Sequence, residues 1–218
     1  MTTKTRTSEA HPTGMSSGGR AAWFAYAAGV ASIAANTLLI TFYAFQVGRP
    51  ENGTSLGSAN DLTGSLSAVL MIPAALALGA HLPRRRAIRI VRTVGVAAMA
   101  VLTVGGPLLV LGALSFEVQA PIMLAAWMAL CAWLFLVNRW ARLSGALPRR
   151  TARFGEFAGA GPLVGGVVVG LGFLLPWTSW GQLALFGVGG SFVFVGFLGI
   201  PVWFLLLGRR LADGRVGA

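Results

Sequence analysis

Apolar residues in this chain come in long unbroken runs, separated by short polar stretches of two alternating kinds. One kind is basic; the other is built from turn-forming and acidic residues. About 20 apolar residues in a helix cross a hydrocarbon core of about 30 Å, and on that measure the runs predict six crossings. Helix one extends from about Ala21 to Val47, helix two from about Asp61 to Leu82, helix three from about Thr93 to Leu114 and helix four from about Ala120 to Asn138. From Phe157 to Gly208 no residue is charged over 52 positions, which is too long for one crossing. Pro176-Trp177-Thr178-Ser179-Trp180-Gly181-Gln182 breaks that run into helices five and six. The expected fold is all-α, a polytopic membrane protein with six transmembrane helices.

The connectors set the expected orientation. Sixteen of the 17 Lys and Arg residues fall into four clusters, and Arg49 alone lies in an intervening turn. Basic segments next to helix ends are retained in the cytoplasm during insertion, so both termini and two basic loops are expected inside. Fusing helices five and six would send Arg209, Arg210 and Arg215 outside, against that rule. The expected organisation is a cytoplasmic tail over residues 1–19, a transmembrane domain over 20–208 and a short basic tail over 209–218. Opposite the basic loops, Pro50, Asn52, Gly53 and Gly57 make a turn between helices one and two, and Ser115 to Gln119, holding Glu117, makes a tighter one. Trp23, Trp140 and Trp203 fall towards one end of the spans and Trp177 and Trp180 at the other, where indole favours the interface.

Composition agrees with a lipid environment. A chain of 218 residues that is 56% hydrophobic and 11% charged, with mean hydropathy +0.74, lacks the polar surface of a soluble domain. The formal charge of +11 would suggest nucleic acid if it lay on one face. Here it divides between the two sides of a membrane, so no nucleic-acid partner is expected. The expected partner is the bilayer itself, with anionic lipids on the cytoplasmic face. The uncharged run from Ala21 to Gly48 is longer than a cleavable signal core of about 7 to 15 residues and reads as a retained helix. Cys131 is the single cysteine and closes no disulfide within the chain.

Two internal patterns bear on assembly. Leu82-Pro83-Arg84-Arg85 recurs as Leu147-Pro148-Arg149-Arg150, and Leu207-Gly208-Arg209-Arg210 closes helix six in the same style. Three helical hairpins in parallel orientation would produce this echo, and so would chance wherever helices end in basic loops. Helix five carries the second pattern. Gly155, Gly159, Gly166 and Gly170 gather within about 60° at 100° per residue, while Gly161, Gly165 and Gly172 form another narrow face. Small residues let helix backbones approach closely in lipid. The first stripe is therefore a helix-packing interface, serving either the bundle's own helices or a homo-oligomer or membrane protein partner.

Candidate chemistry is sparse. Polar groups are costly within a bilayer and mark function by default. Asn36, near the centre of helix one with Ser32 and Tyr43 on its face, is a candidate binding residue or an interhelical hydrogen-bond donor. Asp61, beside Asn60 and Thr63, is expected to cap helix two or to serve as a cation or proton site on the outer side. With only His11, His81 and Cys131 to draw on, no metal or haem centre is expected, no cofactor, and no catalytic residue. Arg84, Arg85, Arg86, Arg89 and Arg92, with Arg149 and Arg150 in the second basic loop, are expected to meet anionic lipid head groups.

The ending Pro201-Val202-Trp203-Phe204-Leu205-Leu206-Leu207-Gly208-Arg209-Arg210-Leu211 resembles that of uncharacterised six-helix bacterial integral membrane proteins. The resemblance implies an inner (cytoplasmic) membrane location and carries no activity. Two functions stay open from sequence. Abundant glycine and scarce polarity favour a non-catalytic accessory, regulatory or self-assembling module. The alternative is a small carrier or exporter for an apolar or lipid-like solute, which would use Pro73, Pro107, Pro162 and Pro201 as kink points. A wide lipid-accessible cavity around Asn36 would favour the carrier, and a solid core with an exposed glycine stripe the module.

Overall fold

The computed structural model describes residues 17–46, 55–172, 174–176, 179–214 and 216, so the expected N-terminal tail and most of the turn around Arg49 lie outside the described residues. Every regular element among them is a helix: α1 (Ser17–Phe45), α2 (Ser55–Ala80), α3 (Arg86–Val110), α4 (Phe116–Ser144), α5 (Arg149–Gly172) and α6 (Trp180–Ala212). All six are long and apolar enough to cross a membrane. The chain is a multi-pass membrane protein.

The helices run past the apolar windows that predict them. α2 begins at Ser55 rather than Asp61, α3 at Arg86 rather than Thr93, and α4 covers Phe116 to Ser144 rather than Ala120 to Asn138. Hydropathy detects only the part of a helix immersed in hydrocarbon. Beyond it, arginine stems extend to the interface while the backbone keeps its helical hydrogen bonds. Asp61 therefore sits in the second turn of α2 and does not cap it. Of the termini, α4 stops at Gly145, whose φ of 77° suits glycine. α6 starts at Ser179, whose Oγ accepts the Gln182 amide at 3.2 Å.

Each helix packs on its neighbours in sequence, and α1 closes against α6, so the six form a ring. That order accommodates three successive hairpins and is equally the order of any six helices packed in chain sequence. Residues on the outside are as apolar as those inside: Val30, Ile40, Leu66, Val101, Leu124, Val167 and Leu198 are all exposed. A water-facing surface of that kind is rare in soluble monomers. Exposed Trp23 near one end and Trp180 at the other stand where indoles meet an interface, whereas Trp203 is wholly buried by its neighbours in the bundle and Trp177 lies outside the described residues.

The ring is tight because small residues line its seams. Adjacent Gly105 and Gly106 lie 100° apart on α3. A side chain at Gly105 would collide with Met123 of α4, and one at Gly106 with the Asp61 carbonyl and Ser65 of α2. On α5, Gly159 and Gly166 face α4, Gly155 meets both Asn138 of α4 and Trp203 of α6, and Gly161, Gly165 and Gly172 face α6. The two stripes thus meet two neighbours in the same chain. Only Gly170 of the first stripe meets nothing.

Towards the end of the bundle that carries the arginines, the interior is solid. Leu78, Met99, Leu134 and Leu207 are wholly buried there with Trp133, Trp203 and Phe204. Trp133 and Trp203 make an edge-on pair with centroids 6.2 Å apart. Asn138 lies in the same layer, fully buried, accepting from Trp203 Nε1 at 2.9 Å and donating to the Leu134 carbonyl at 2.8 Å. Among the described residues the Trp133 indole N–H has no partner. Arg142 and Glu156 join α4 to α5 nearby, with Nε–Oε1 at 2.6 Å and Nη2–Oε2 at 3.3 Å.

Candidate functional site

Nearer the opposite end, the ring does not fill its centre. A cavity of about 230 Å³ lies between α1, α2, α3, α4 and α6. Its apolar lining includes Met71, Leu102, Met123, Trp127, Leu130 and Phe197. The polar lining comes almost entirely from α1 and α2: Ser32 and Asn36 on one helix, and Asn60, Asp61, Ser65 and Ser67 on the other. Empty apolar space of about 150 Å³ in a protein interior is enough to take up benzene. A solute somewhat larger than that fits here.

Backbone chemistry accounts for Asn36. Pro201 has no N–H, so the carbonyl of Phe197, four residues earlier on α6, loses its helical partner. Asn36 Nδ2 donates to that oxygen at 2.5 Å, pinning α1 to α6 one turn before Pro201. Gly29, one and a half to two turns away on α1, lets the helices approach: a side chain there would press on Leu205 and the Pro201 carbonyl. Asn36 is thus an interhelical donor and a cavity-lining residue at once.

The serines fix α2 in the same way. Ser67 Oγ donates to the Ala28 carbonyl at 3.1 Å, which commits its proton, so Ser32 Oγ donates to Ser67 Oγ across the α1–α2 seam at 2.5 Å. Ser65 Oγ donates to the Leu102 carbonyl of α3 at 3.2 Å. Three hydroxyls of the lining are therefore occupied in holding helices. Asp61 is different. Its Oδ1 accepts from Asn60 Nδ2 at 3.4 Å, and among the described residues no cation pairs with it, since Arg142–Glu156 is the one ion pair found there.

The other predicted residues fall elsewhere. Tyr43 is 65% exposed and does not line the cavity. At its level Phe42 is the residue that meets α2, beside Gly57. Arg84, Arg85, Arg89 and Arg92 line a second cleft, of about 330 Å³, where the α2–α3 turn crosses the basic end. Arg92 lies across Gly79, where a side chain would come within 2.7 Å of its Cδ. Arg86 is exposed beside this cleft, and Arg149 and Arg150 are exposed at the start of α5.

Sequence reasoning missed Ser65 and Ser67, the Asn138–Trp203 pair and the Arg142–Glu156 bridge. For the serines, the signal was a Ser-x-Ser spacing inside an apolar run. For Asn138, position at the expected end of helix four disguised a buried amide as a boundary residue. Comparison with protein-family models, with curated proteins and with solved structures finds no match to this chain.

Proposed function

We propose that this protein is a small carrier for an apolar or lipid-like solute, held in the cavity between α1, α2, α3, α4 and α6. The observation that carries the reading is the cavity itself, open space bounded by Asn36 on one side and Met123 and Trp127 on the other. Solute sites in helical membrane proteins favour the middle of the bundle, and Pro201, which leaves the Phe197 carbonyl without a helical partner, forms part of this wall. The solid layer of Trp133, Asn138 and Trp203 closes the path towards the basic end. Release on that side requires this layer to part, as alternating access demands. The basic end faces the cytoplasm in this reading, in the inner membrane, and its arginine cleft holds anionic lipid head groups.

A second reading, an accessory or self-assembling module, draws on Gly187 and Gly190 of α6, which are exposed and meet nothing in this chain. Gly64 supplies a test that separates the two. It lines the cavity, and a Cβ there would meet no atom within 4 Å, so Gly64→Leu fills the space without disturbing the helix seam. In nanodiscs, the wild type is expected to bind tert-butylbenzene and resist unfolding more strongly with it, and Gly64→Leu to lose both effects. Native mass spectrometry showing a defined oligomer, together with no uptake of this solute by the wild type, would overturn the carrier in favour of the module.

A further inference from the structure

We propose that the solute carries a positive charge, and that the cavity recognises an organic cation of amphiphilic shape through the carboxylate of Asp61. The inference rests on the carrier reading and gives it a substrate class. Asp61 lies in the second turn of α2, about 9 Å along the axis from Ser55 at 1.5 Å per residue. A carboxylate on the wall of a largely apolar cavity is expensive and calls for a partner. Among the described residues none is supplied: no basic side chain lines the cavity, and the single hydrogen-bond partner of Asp61 is the neutral amide of Asn60.

The surroundings suit an organic cation better than a hydrated metal ion. A hard ion would take several oxygen ligands at close range, whereas the hydroxyls of Ser65 and Ser67 are engaged with backbone carbonyls of α3 and α1. The remaining wall is apolar and includes Met71, Met123, Trp127 and Phe197 beside aliphatic residues such as Leu102 and Leu130. Thioether and aromatic side chains attract the edges of alkylammonium groups and pack against an apolar body. One end of the cavity thus offers negative charge and an amide, and the rest offers polarizable apolar contact. That division matches a molecule with an ammonium head and a small hydrophobic remainder.

Phenyltrimethylammonium and tert-butylbenzene have the same shape and differ in one fixed charge, so comparing them isolates the role of Asp61. Binding of each to the nanodisc-embedded protein is measured by isothermal titration, with protein-free nanodiscs subtracting partition into lipid. The wild type is expected to prefer the cation by about tenfold or more, the range of a close pair partly removed from water. Asp61→Asn should abolish the preference while leaving tert-butylbenzene affinity within about threefold, and Asp61→Glu should retain it. Equal affinity of the wild type for the two compounds, or a preference that survives Asp61→Asn, overturns the cation assignment and leaves the carrier standing. Absence of both ligands from the wild type overturns the two together. The wild-type comparison needs no variant, so a misfolded substitution does not shelter the inference.

Discussion

Trp133 and Trp203 form a natural pair for measuring what one buried hydrogen bond contributes in this bundle. Both indoles are sealed from solvent, at 1% and 0% exposure, and they contact each other edge-on. Trimming either to phenylalanine removes the same atoms and disturbs their shared contact; Trp203 also meets Phe204 edge-on at 4.9 Å, a contact that a phenylalanine ring largely keeps, so most of the packing loss is common to the two. The hydrogen bonds do not cancel. Trp203→Phe strands the Asn138 Oδ1 acceptor in a dry site, a loss of about 0.6 to 1.7 kcal/mol on the scale of interhelical bonds in membranes. Trp133→Phe removes an N–H that has no partner among the described residues and relieves its desolvation penalty of about 1 kcal/mol or more. Trp203→Phe is therefore expected to destabilise by about 2 kcal/mol more than Trp133→Phe. Unfolding in mixed detergent micelles with increasing dodecyl sulfate, followed by circular dichroism, provides the assay. Repeating both substitutions in an Asn138→Leu background should shrink the difference, because no acceptor is then left unpaired. If Trp133→Phe costs as much as Trp203→Phe, the reasoning fails.

Gly159→Ala places a Cβ 2.6 Å from the Cys131 carbonyl and the Phe135 amide, backbone atoms that cannot turn aside, and should cost about 1 to 3 kcal/mol. Gly170→Ala meets no neighbour and should be neutral or gain up to about 1 kcal/mol from helix propensity; the same denaturation series reads both. Asn36→Leu leaves the Phe197 carbonyl without its donor and should lose about 0.5 to 2 kcal/mol, whereas Tyr43→Phe at an exposed ring should leave the midpoint unchanged. Glu156→Gln should lower the thermal unfolding temperature by weakening the bidentate pair with Arg142, and the exchange Arg142→Glu with Glu156→Arg should recover part of the loss in differential scanning fluorimetry.

Six spans and the two glycine faces of helix five were legible because each leaves a one-dimensional trace, a long apolar window or a spacing near 3.6. The divided loyalty of helix five, Gly159 to α4 and Gly165 to α6, follows from those angles once both neighbours exist. Helix ends were less legible, since a window that counts apolar residues stops at Thr93 while the backbone continues helically to Arg86. The cavity left no trace at all. It arises where Met123, Leu102 and Phe197 fail to meet across the ring, and a shortfall of volume among three helices is not written in any one of them. Asp61 shows the same limit: its identity suggested a helix cap, and only the true start of α2 at Ser55 places it on the cavity wall.

The bond from Asn36 to Phe197 joins residues 161 apart, and it has a consequence for the order in which the protein is made. The ribosome delivers α1 first and α6 last, so five helices enter the bilayer before the ring has anything to close on. During that interval the nascent bundle is an open arc. The amide of Asn36 faces lipid or a transient chaperone, and Gly29 offers a bare groove where Leu205 and Pro201 will later sit. Such a half-made bundle presents the polar, loosely packed surface that membrane quality-control proteases act upon. Mutations along the α1–α6 seam should therefore reduce the amount of protein reaching the membrane more than their cost to the finished fold would suggest, because they prolong the one stage at which the chain is exposed.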